Sequence, residues 1–558
     1  MKRTALLIAL QILFYCTLQL HAQEKTVNLF DSAGTYYQKR DFKKAAYFYD
    51  TYYLIQKNTQ SNYDTYRAAV SSSHIGNIEN AKYYLTRSGQ IGYDYSGFYE
   101  YPSYDKFVND PIHIPLKNLP EWKSFITTLK YKADSATIAV RKIIAELEDT
   151  TGRINRPVIY NNSYWQQTAK TLSAAELSKK IKTFNTFSKP LKTGFWTLYK
   201  IKVSDTLTVP FMVYIPKGYN PGQSTPLYIY LHGAIINRKD FANPAWIERG
   251  QEIKIVEKAQ TNNAFIIYPF GRKDFGWLYH QKAFETIVSE LGMVKSMYNI
   301  DDNKVYVMGH SNGGSGAYWF AVNHPTPFAA FVGLNYLPKV YAGNTSLRNM
   351  ENATPFYGIS GSKDNNFPLL LINGMYTYAK TNGANWTNYT RQGEHTLAVF
   401  QRDSINFIFD TLSKTKRDPL PKKLQWETDN IKNGRNGWLE ILELDTLKPR
   451  ADWQQPLNPT VTQNGKTGTI DFNKNRSGAV KVQADGNNIS VETSRVKRIK
   501  LYISADLFDL KRQIMITINK KQHLNFMLTE DKRTILTEFL RTKDRAFIVS
   551  NTIEFTIE

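Results

Sequence analysis

The pentapeptide Gly309-His310-Ser311-Asn312-Gly313 places a serine between two glycines. It follows the apolar run Val305-Tyr306-Val307-Met308 and precedes Ser315–Val322, which reads as a helix. A strand-to-helix turn this tight leaves no room for side chains at the flanking positions, so glycine fits there. The serine hydroxyl is then raised above the sheet, at a helix N-terminus that favours negative charge. A serine hydroxyl is a weak nucleophile by itself. It needs a general base to take its proton and an acid to orient that base.

On this kind of turn the partners follow in the chain order serine, acid, histidine. Only His324, His395 and His523 lie beyond Ser311. His324 sits about three turns along the nucleophile helix, and His523 lies in a distant β-rich region. His395 remains, in Gln392-Gly393-Glu394-His395. Three acids separate Ser311 from it: Glu351, Asp364 and Glu394. Glu394 adjoins the histidine and is poorly placed for its Nδ1. Glu351 precedes the strand expected at 356–360. Asp364 follows that strand, and loops after parallel strands are where such sheets carry functional groups. Elimination leaves Ser311 as nucleophile, Asp364 as orienting acid and His395 as base. A base that must be neutral predicts activity lost in acid. Two backbone donors for a developing oxyanion are expected, from Asn312 and from the Gly233-Ala234 segment. Trp277, Tyr279 and Tyr336 are candidates for lining the substrate, with core packing as the alternative.

The elements that must position these groups are short apolar strands alternating with helical patterns. Strands are expected at Val209–Ile215, Leu227–Leu231, Ala264–Tyr268, Lys304–Met308, Ala329–Leu334, Phe356–Ser360 and Trp386–Tyr389. That pattern predicts a mostly parallel α/β sheet covered on both faces. Residues 23–150 read as a helical domain in which Phe30 and Tyr66, Ala33 and Ala69, Phe42 and Ile78, Ala45 and Ala81, and Tyr49 and Leu85 repeat at a spacing of 36. This resembles tetratricopeptide repeats, with a third pair expected over Phe107–Leu129 and Ala133–Leu147. Such repeats imply either a groove for a protein partner or a packed helical cap. Residues 151–194 read as a linker, with a turn at Asn161-Asn162 and a helix around Ala174–Phe184. The catalytic α/β domain is expected over 195–414. Residues 415–558 read as an antiparallel, sandwich-like β domain with one helix near Thr534–Arg541.

The chain has 558 residues, too many for one core. Its 42% hydrophobic content excludes a disordered protein. Met1-Lys2-Arg3, the apolar stretch from Ala5 to Leu20 and Ala22 read as a secretory signal over residues 1–22. Export to a bacterial periplasm or beyond, with no span in the mature form, is the expected location. The single cysteine, Cys16, lies within that signal, which excludes a thiol nucleophile, a disulfide framework or a Cys-ligated zinc in the mature chain. The net charge of +22 comes from dispersed lysines and arginines with no dense block, so nucleic acid is not expected as a partner. No metal-binding, P-loop or dinucleotide motif is present, and no cofactor or metal is expected.

Residues 196–413 resemble the α/β-hydrolase superfamily, in particular bacterial esterases of the polyhydroxybutyrate-depolymerase-like, feruloyl and acetylxylan groups. More distantly they resemble prolyl-oligopeptidase-type peptidases. The stretches that carry the resemblance are PLYIYLHGA at 226–234, YPFGR at 268–272, GHSNGGSGAYWFAVNHP at 309–325 and GSKDNNFP at 361–368. The resemblance implies a serine hydrolase that cleaves carboxylic esters through an acyl-enzyme, on a small-molecule, carbohydrate-ester or peptide substrate. A serine peptidase using the same triad and a non-catalytic envelope scaffold are the alternatives. The loop Asn335–Thr354 is expected beside the site as a partial lid.

Overall fold

The computed structural model describes residues 29, 32–55, 62–93, 101, 104–132, 134–135, 138, 158–234, 241, 253–339, 342, 346–351, 353–396, 403–463, 466–469 and 476–558. The chain forms two compact units, Met1–Lys142 with Ile236–Arg238, and Ile143–Ile235 with Lys239–Glu558. The expected signal, residues 1–22, lies outside the described residues.

In the first unit the helices Phe42–Ile55, Asn62–His74 and Ile78–Gln90 pack through small residues that let their backbones approach. Ala33, Ala69, Ala45, Ala81, Tyr49 and Leu85, three of the pairs spaced by 36, are wholly buried in one cluster. Ile78 departs from the pattern at 45% exposure, and Phe30 lies outside the described residues. The long helix expected over Phe107–Leu129 is broken instead into Tyr104–Val108, a 3-10 turn Pro111–His113, Ile114–Lys117 and a helical run over 120–132. Pro111, Pro115 and Pro120 cause the breaks, since each lacks an N–H and is tolerated only in a first turn. Most of its expected partner, Ala133–Leu147, lies outside the described residues.

The second unit is built on an eight-stranded sheet: β1 (Phe195–Lys202), β2 (Thr208–Ile215), β3 (Thr225–Leu231), β4 (Phe265–Pro269), β5 (Ile300–His310), β6 (Ala330–Leu334), β7 (Phe356–Gly361) and β8 (Trp386–Arg391). Their order is β1-β2-β4-β3-β5-β6-β7-β8. The pairings β1–β2 and β2–β4 are antiparallel, and those from β4 through β8 are parallel. Successive side chains of a strand point to opposite faces, and the central strands are apolar on both. Leu227, Ile229 and Leu231 therefore pack with Phe284, Ile287 and Leu291 of the helix Gln281–Met297 and with Ala317 of Asn312–Asn323. Tyr228 and Tyr230 face the other way, toward Ile405, Ile408 and Phe409 of Asp403–Lys414. Each such side chain taken from water contributes about 1.5–3 kcal/mol.

Beyond the sheet come β9 (Lys423–Thr428), β10 (Arg435–Asn436), β11 (Leu439–Leu444), β12 (Thr460–Gln463), β13 (Lys466–Thr469), β14 (Gly478–Asp485), β15 (Asn488–Ser494), β16 (Val496–Ile503), β17 (Ile514–Ile518), β18 (Gln522–Phe526) and β19 (Asn551–Thr556). Two sheets, β10-β11-β16-β19 and β18-β17-β15-β14-β9, enclose one apolar cluster that includes Trp426, Trp438, Val480, Val491, Ile499 and Leu501. One pairing departs from the expected antiparallel pattern: β15 and β17 run parallel. The intervening β16 belongs to the other sheet, so the chain returns to its first sheet in the original direction. The turn expected at Asn161-Asn162 is a helix start. The Asn161 side chain accepts from the Tyr164 N–H and caps Asn162–Thr171. Trp165, Leu177 and Ile181 of this region pack on Ile535 and Phe539 of the C-terminal helix Lys532–Thr542. The segment is therefore a packed layer of the second unit.

A buried ion pair ties the segment before β9 to the segment before β19. Arg417 grips Asp544 through two N–H groups, at 2.5 and 2.9 Å. Burial pushes the Asp544 carboxyl up, but the charges of Arg417 and Lys295 and the hydrogen bonds from Arg417 and Ala546 outweigh it and hold it at about 2. The ordinary value is 3.8, so the unfolded chain takes up this proton first as pH falls. The stabilisation is complete above the ordinary value and disappears as pH drops through the folded one. Thermal melts between pH 5 and 2 should therefore show a steep loss of stability. Asp544→Asn should lower stability at pH 7 by roughly 3–5 kcal/mol and make the acid decline shallower. An unchanged acid limb in that variant would remove Asp544 from the explanation.

Candidate functional site

Ser311 stands between the end of β5 and the start of the helix Asn312–Asn323, with φ +56° and ψ −122°. A positive φ on a non-glycine residue stores backbone strain, of order 1–3 kcal/mol. Its surroundings impose it. A Cβ on Gly309 would fall 2.4 Å from the Gly313 carbonyl carbon, and one on Gly313 would fall 1.9 Å from the Leu231 oxygen. The turn closes only because both positions are bare. The Ser311 N–H donates to the Leu334 oxygen of β6 at 2.9 Å, and the Ser311 oxygen accepts from Ser315 N–H at 3.0 Å.

Asp364 and His395 come from the loops after β7 and β8, the two strands that follow β6 in the sheet. The Asp364 carboxylate is buried. Its Oδ1 accepts the N–H groups of Asn366, at 2.9 Å, and Phe367, at 2.8 Å. This fixes Oδ2 toward His395, whose Nδ1 lies 2.7 Å away. The ring's Nε2 lies 2.9 Å from Ser311 Oγ. A carboxylate can only accept, so Nδ1 carries the proton and Nε2 is left to accept the serine O–H. The His395 side chain keeps 17% exposure, so the serine-facing edge stays accessible.

The three residues selected by elimination are thus brought together, and the others are not. His324 caps the far end of the helix Asn312–Asn323. His523 lies on β18, 3.2 Å from Thr517 Oγ1. Glu351 accepts from Gln425 Nε2 at 2.9 Å. If Asp364 orients the ring, Asp364→Asn, which presents a donor or a neutral acceptor to Nδ1, should lower kcat by about 10⁴-fold with little change in melting temperature. Steady-state kinetics with a chromogenic ester checks it.

The Gly233-Ala234 backbone runs beside the serine: a Cβ on Gly233 would sit 3.7 Å from Ser311 Cβ. His232, which sequence reasoning passed over, fixes this segment. Its Nε2 accepts the Gly271 N–H at 2.9 Å, so its Nδ1 donates to the Gly233 oxygen at 2.7 Å. In a trans peptide the Ala234 N–H points opposite to that oxygen. His232 is thereby the strut that aims one amide. The Trp277 Nε1–H donates to the His232 oxygen at 2.9 Å. His232→Ala should lower kcat by about 10–100-fold, less than the 10²–10³ lost with a donor itself, and a kcat unchanged in that variant would show that the loop holds its own shape.

Two of the candidate lining residues need correction. Trp277 is buried behind the loop, its Cβ 2.8 Å from where a Gly316 side chain would begin. Tyr336 is wholly buried, donating to Asn388 Oδ1 at 3.1 Å and accepting from Trp386 Nε1 at 2.9 Å. Both are core residues, because each is large, apolar and able to satisfy its polar tip internally. Tyr279 is 62% exposed, its ring 6.4 Å from that of His280. The lid expected over Asn335–Thr354 is also corrected in its described part. Leu347–Met350 is a buried 3-10 turn in which Arg348 donates to Glu427 at 3.1 Å and Asn349 Nδ2 donates to the Val322 oxygen at 2.8 Å. That segment is anchored against β9. Residues 340–341, 343–345 and 352 lie outside the described residues.

Among the described residues no group of three or more His, Cys, Asp or Glu is arranged to hold a metal ion. No described helix is long and apolar enough to cross a membrane.

Residues 207–337 match the family model described as "Putative esterase". The matched stretch holds β2 to β6, the Gly233-Ala234 loop and the serine turn. The chain is an enzyme, with esterase-type sequence over that stretch. No curated protein matches it. Among solved structures it is similar to a thermostable esterase, at 16% identity and a TM-score of 0.31, over 40% of this chain and 63% of that one. It is also similar to S-formylglutathione hydrolase from Staphylococcus aureus, at 14% and 0.31, over 39% and 98%. A third is Pyrococcus horikoshii acylaminoacyl peptidase, at 15% and 0.32, over 41% and 42%. Likenesses this distant decide nothing between ester and amide substrates.

Proposed function

We propose that this chain is an exported serine hydrolase that cleaves carboxylic esters through an acyl-enzyme on Ser311. The observation that carries the proposal is the continuous relay from Asp364 Oδ2 through His395 to Ser311 Oγ, at 2.7 and 2.9 Å. His395 Nε2 takes the Ser311 proton as Oγ attacks the ester carbonyl. The backbone N–H groups of Asn312 and Ala234 hold the oxyanion, with the N-terminus of the helix Asn312–Asn323 behind it. The imidazolium, stabilised by Asp364, returns its proton to the leaving alcohol. Water, deprotonated by the same nitrogen, then attacks the acyl-enzyme and releases the acid. No metal or cofactor enters this scheme. The expected compartment is the bacterial periplasm or the exterior, and the expected substrates are small or sugar-borne esters rather than nucleic acid.

Initial rates on short-chain p-nitrophenyl esters against peptide p-nitroanilides test the reading. Ester turnover should dominate. Rapid amide turnover with negligible ester turnover would replace it with the peptidase alternative.

A further inference from the structure

Asn335, the residue that follows β6, occupies a position that neither the serine motif nor the acid and base loops explain. It is buried, with φ +41°, in the left-handed region that asparagine tolerates better than most side chains. The residue before it, Leu334, accepts the Ser311 N–H. Its own N–H donates to the Ile359 oxygen of β7 at 2.8 Å. Its Oδ1 accepts the Gly361 N–H at 2.8 Å, three residues before Asp364. Its Nδ2 donates to the Glu394 oxygen at 3.0 Å and the Thr396 oxygen at 3.3 Å, the two carbonyls that bracket His395. One amide thus ties the acid loop to the base loop, beside the carbonyl that holds the Ser311 N–H. Gly361 lets the base loop come this close: a Cβ there would fall 2.6 Å from the Gly393 oxygen, 2.9 Å from the Glu394 oxygen and 3.2 Å from Asn335 Oδ1.

We infer that Asn335 is a positioning residue, a clamp that sets His395 against Ser311 and Asp364. The inference rests on the serine hydrolase reading above. Every polar atom of the side chain is used in the matching sense, acceptor toward an N–H and donors toward carbonyls. Aspartate, of the same size, would turn two attractions into contacts between oxygens. The loop also has other ties, since Lys363 N–H donates to the Gly393 oxygen at 2.8 Å. The clamp is therefore expected to refine the base's position rather than to hold the fold.

Asn335→Gly is the cleanest test, because glycine accepts the left-handed backbone and removes only the amide. With a chromogenic ester, and with kcat taken per folded molecule, kcat should fall by about 10–100-fold, as for a slightly misplaced base. KM should stay within about twofold, since ground-state binding is untouched. Asn335→Asp should be impaired at least as much. A kcat near wild type in Asn335→Gly overturns the clamp, and so does a loss carried mainly in KM. An inactive wild type that also resists fluorophosphonate would instead sink the hydrolase reading itself.

Discussion

Ser311→Ala is expected to retain the fold and lose about 10⁶-fold in kcat on ester substrates, because the members of such a relay act as one unit. The hydroxyl is the only group removed, and the elbow's shape does not depend on it. Ser311 N–H still reaches the Leu334 oxygen, and the glycines still allow the close approach to Leu231. The melting temperature should be unchanged or slightly altered, as alanine inherits the strained positive φ. His395→Ala should match it in kcat, and the double variant should be no worse than either alone. Additive losses would mean that the two side chains serve separate steps.

The second large effect is structural. Gly313→Ala would put a methyl group 1.9 Å from the Leu231 oxygen and 2.5 Å from its carbon. Both obstacles are main chain of a central strand, so no side-chain rotation relieves them. Either β3 or the helix Asn312–Asn323 must shift, and with it the serine. The expected result is a loss of more than about 3 kcal/mol in stability, seen as a poor soluble yield and a lowered melting temperature. Gly468→Ala is the control, since nothing lies within 4 Å of the added carbon. A Gly313→Ala protein that melts and turns over like wild type would show that the turn has slack.

These two predictions rest on different parts of the chain's legibility. The serine turn could be read locally because its glycines have a steric reason visible in the spacing alone. Asp364 and His395 could be reached by elimination because few acids and histidines follow Ser311 and chain order is restrictive. The seven strands around them were readable from apolar runs, since all but the edge strand β8 are largely buried on both faces. β1 and β14 were not. β1, with Lys200 and Lys202 among its residues, carries no continuous apolar run, and its partner β2 decides its conformation. β14 alternates and turns into β15 through two residues, but its pairing with β9 is a long-range choice. The helix expected over Phe107–Leu129 failed because the apolar spacing was weighed above its prolines.

The roles of individual side chains were harder to read. His232 and Asn335 act by hydrogen bonds to main chain far along the sequence, at Gly271, Gly361, Glu394 and Thr396. Nothing in their neighbours' types announces that. Trp277 and Tyr336 misled in the opposite direction. Aromatic residues near a motif suggest a substrate wall, yet their tips find partners inside the protein. The polar atoms of a buried group must be satisfied somewhere, and only the fold says where.

The most direct measurement is a covalent one. The purified protein is treated with a fluorophosphonate, digested and mapped by mass spectrometry. A single phosphonyl adduct on Ser311, absent from Ser311→Ala and slowed in Asp364→Asn, is the predicted result. An unmodified Ser311 in protein shown to be folded, or an adduct on some other hydroxyl, would contradict the account at its centre.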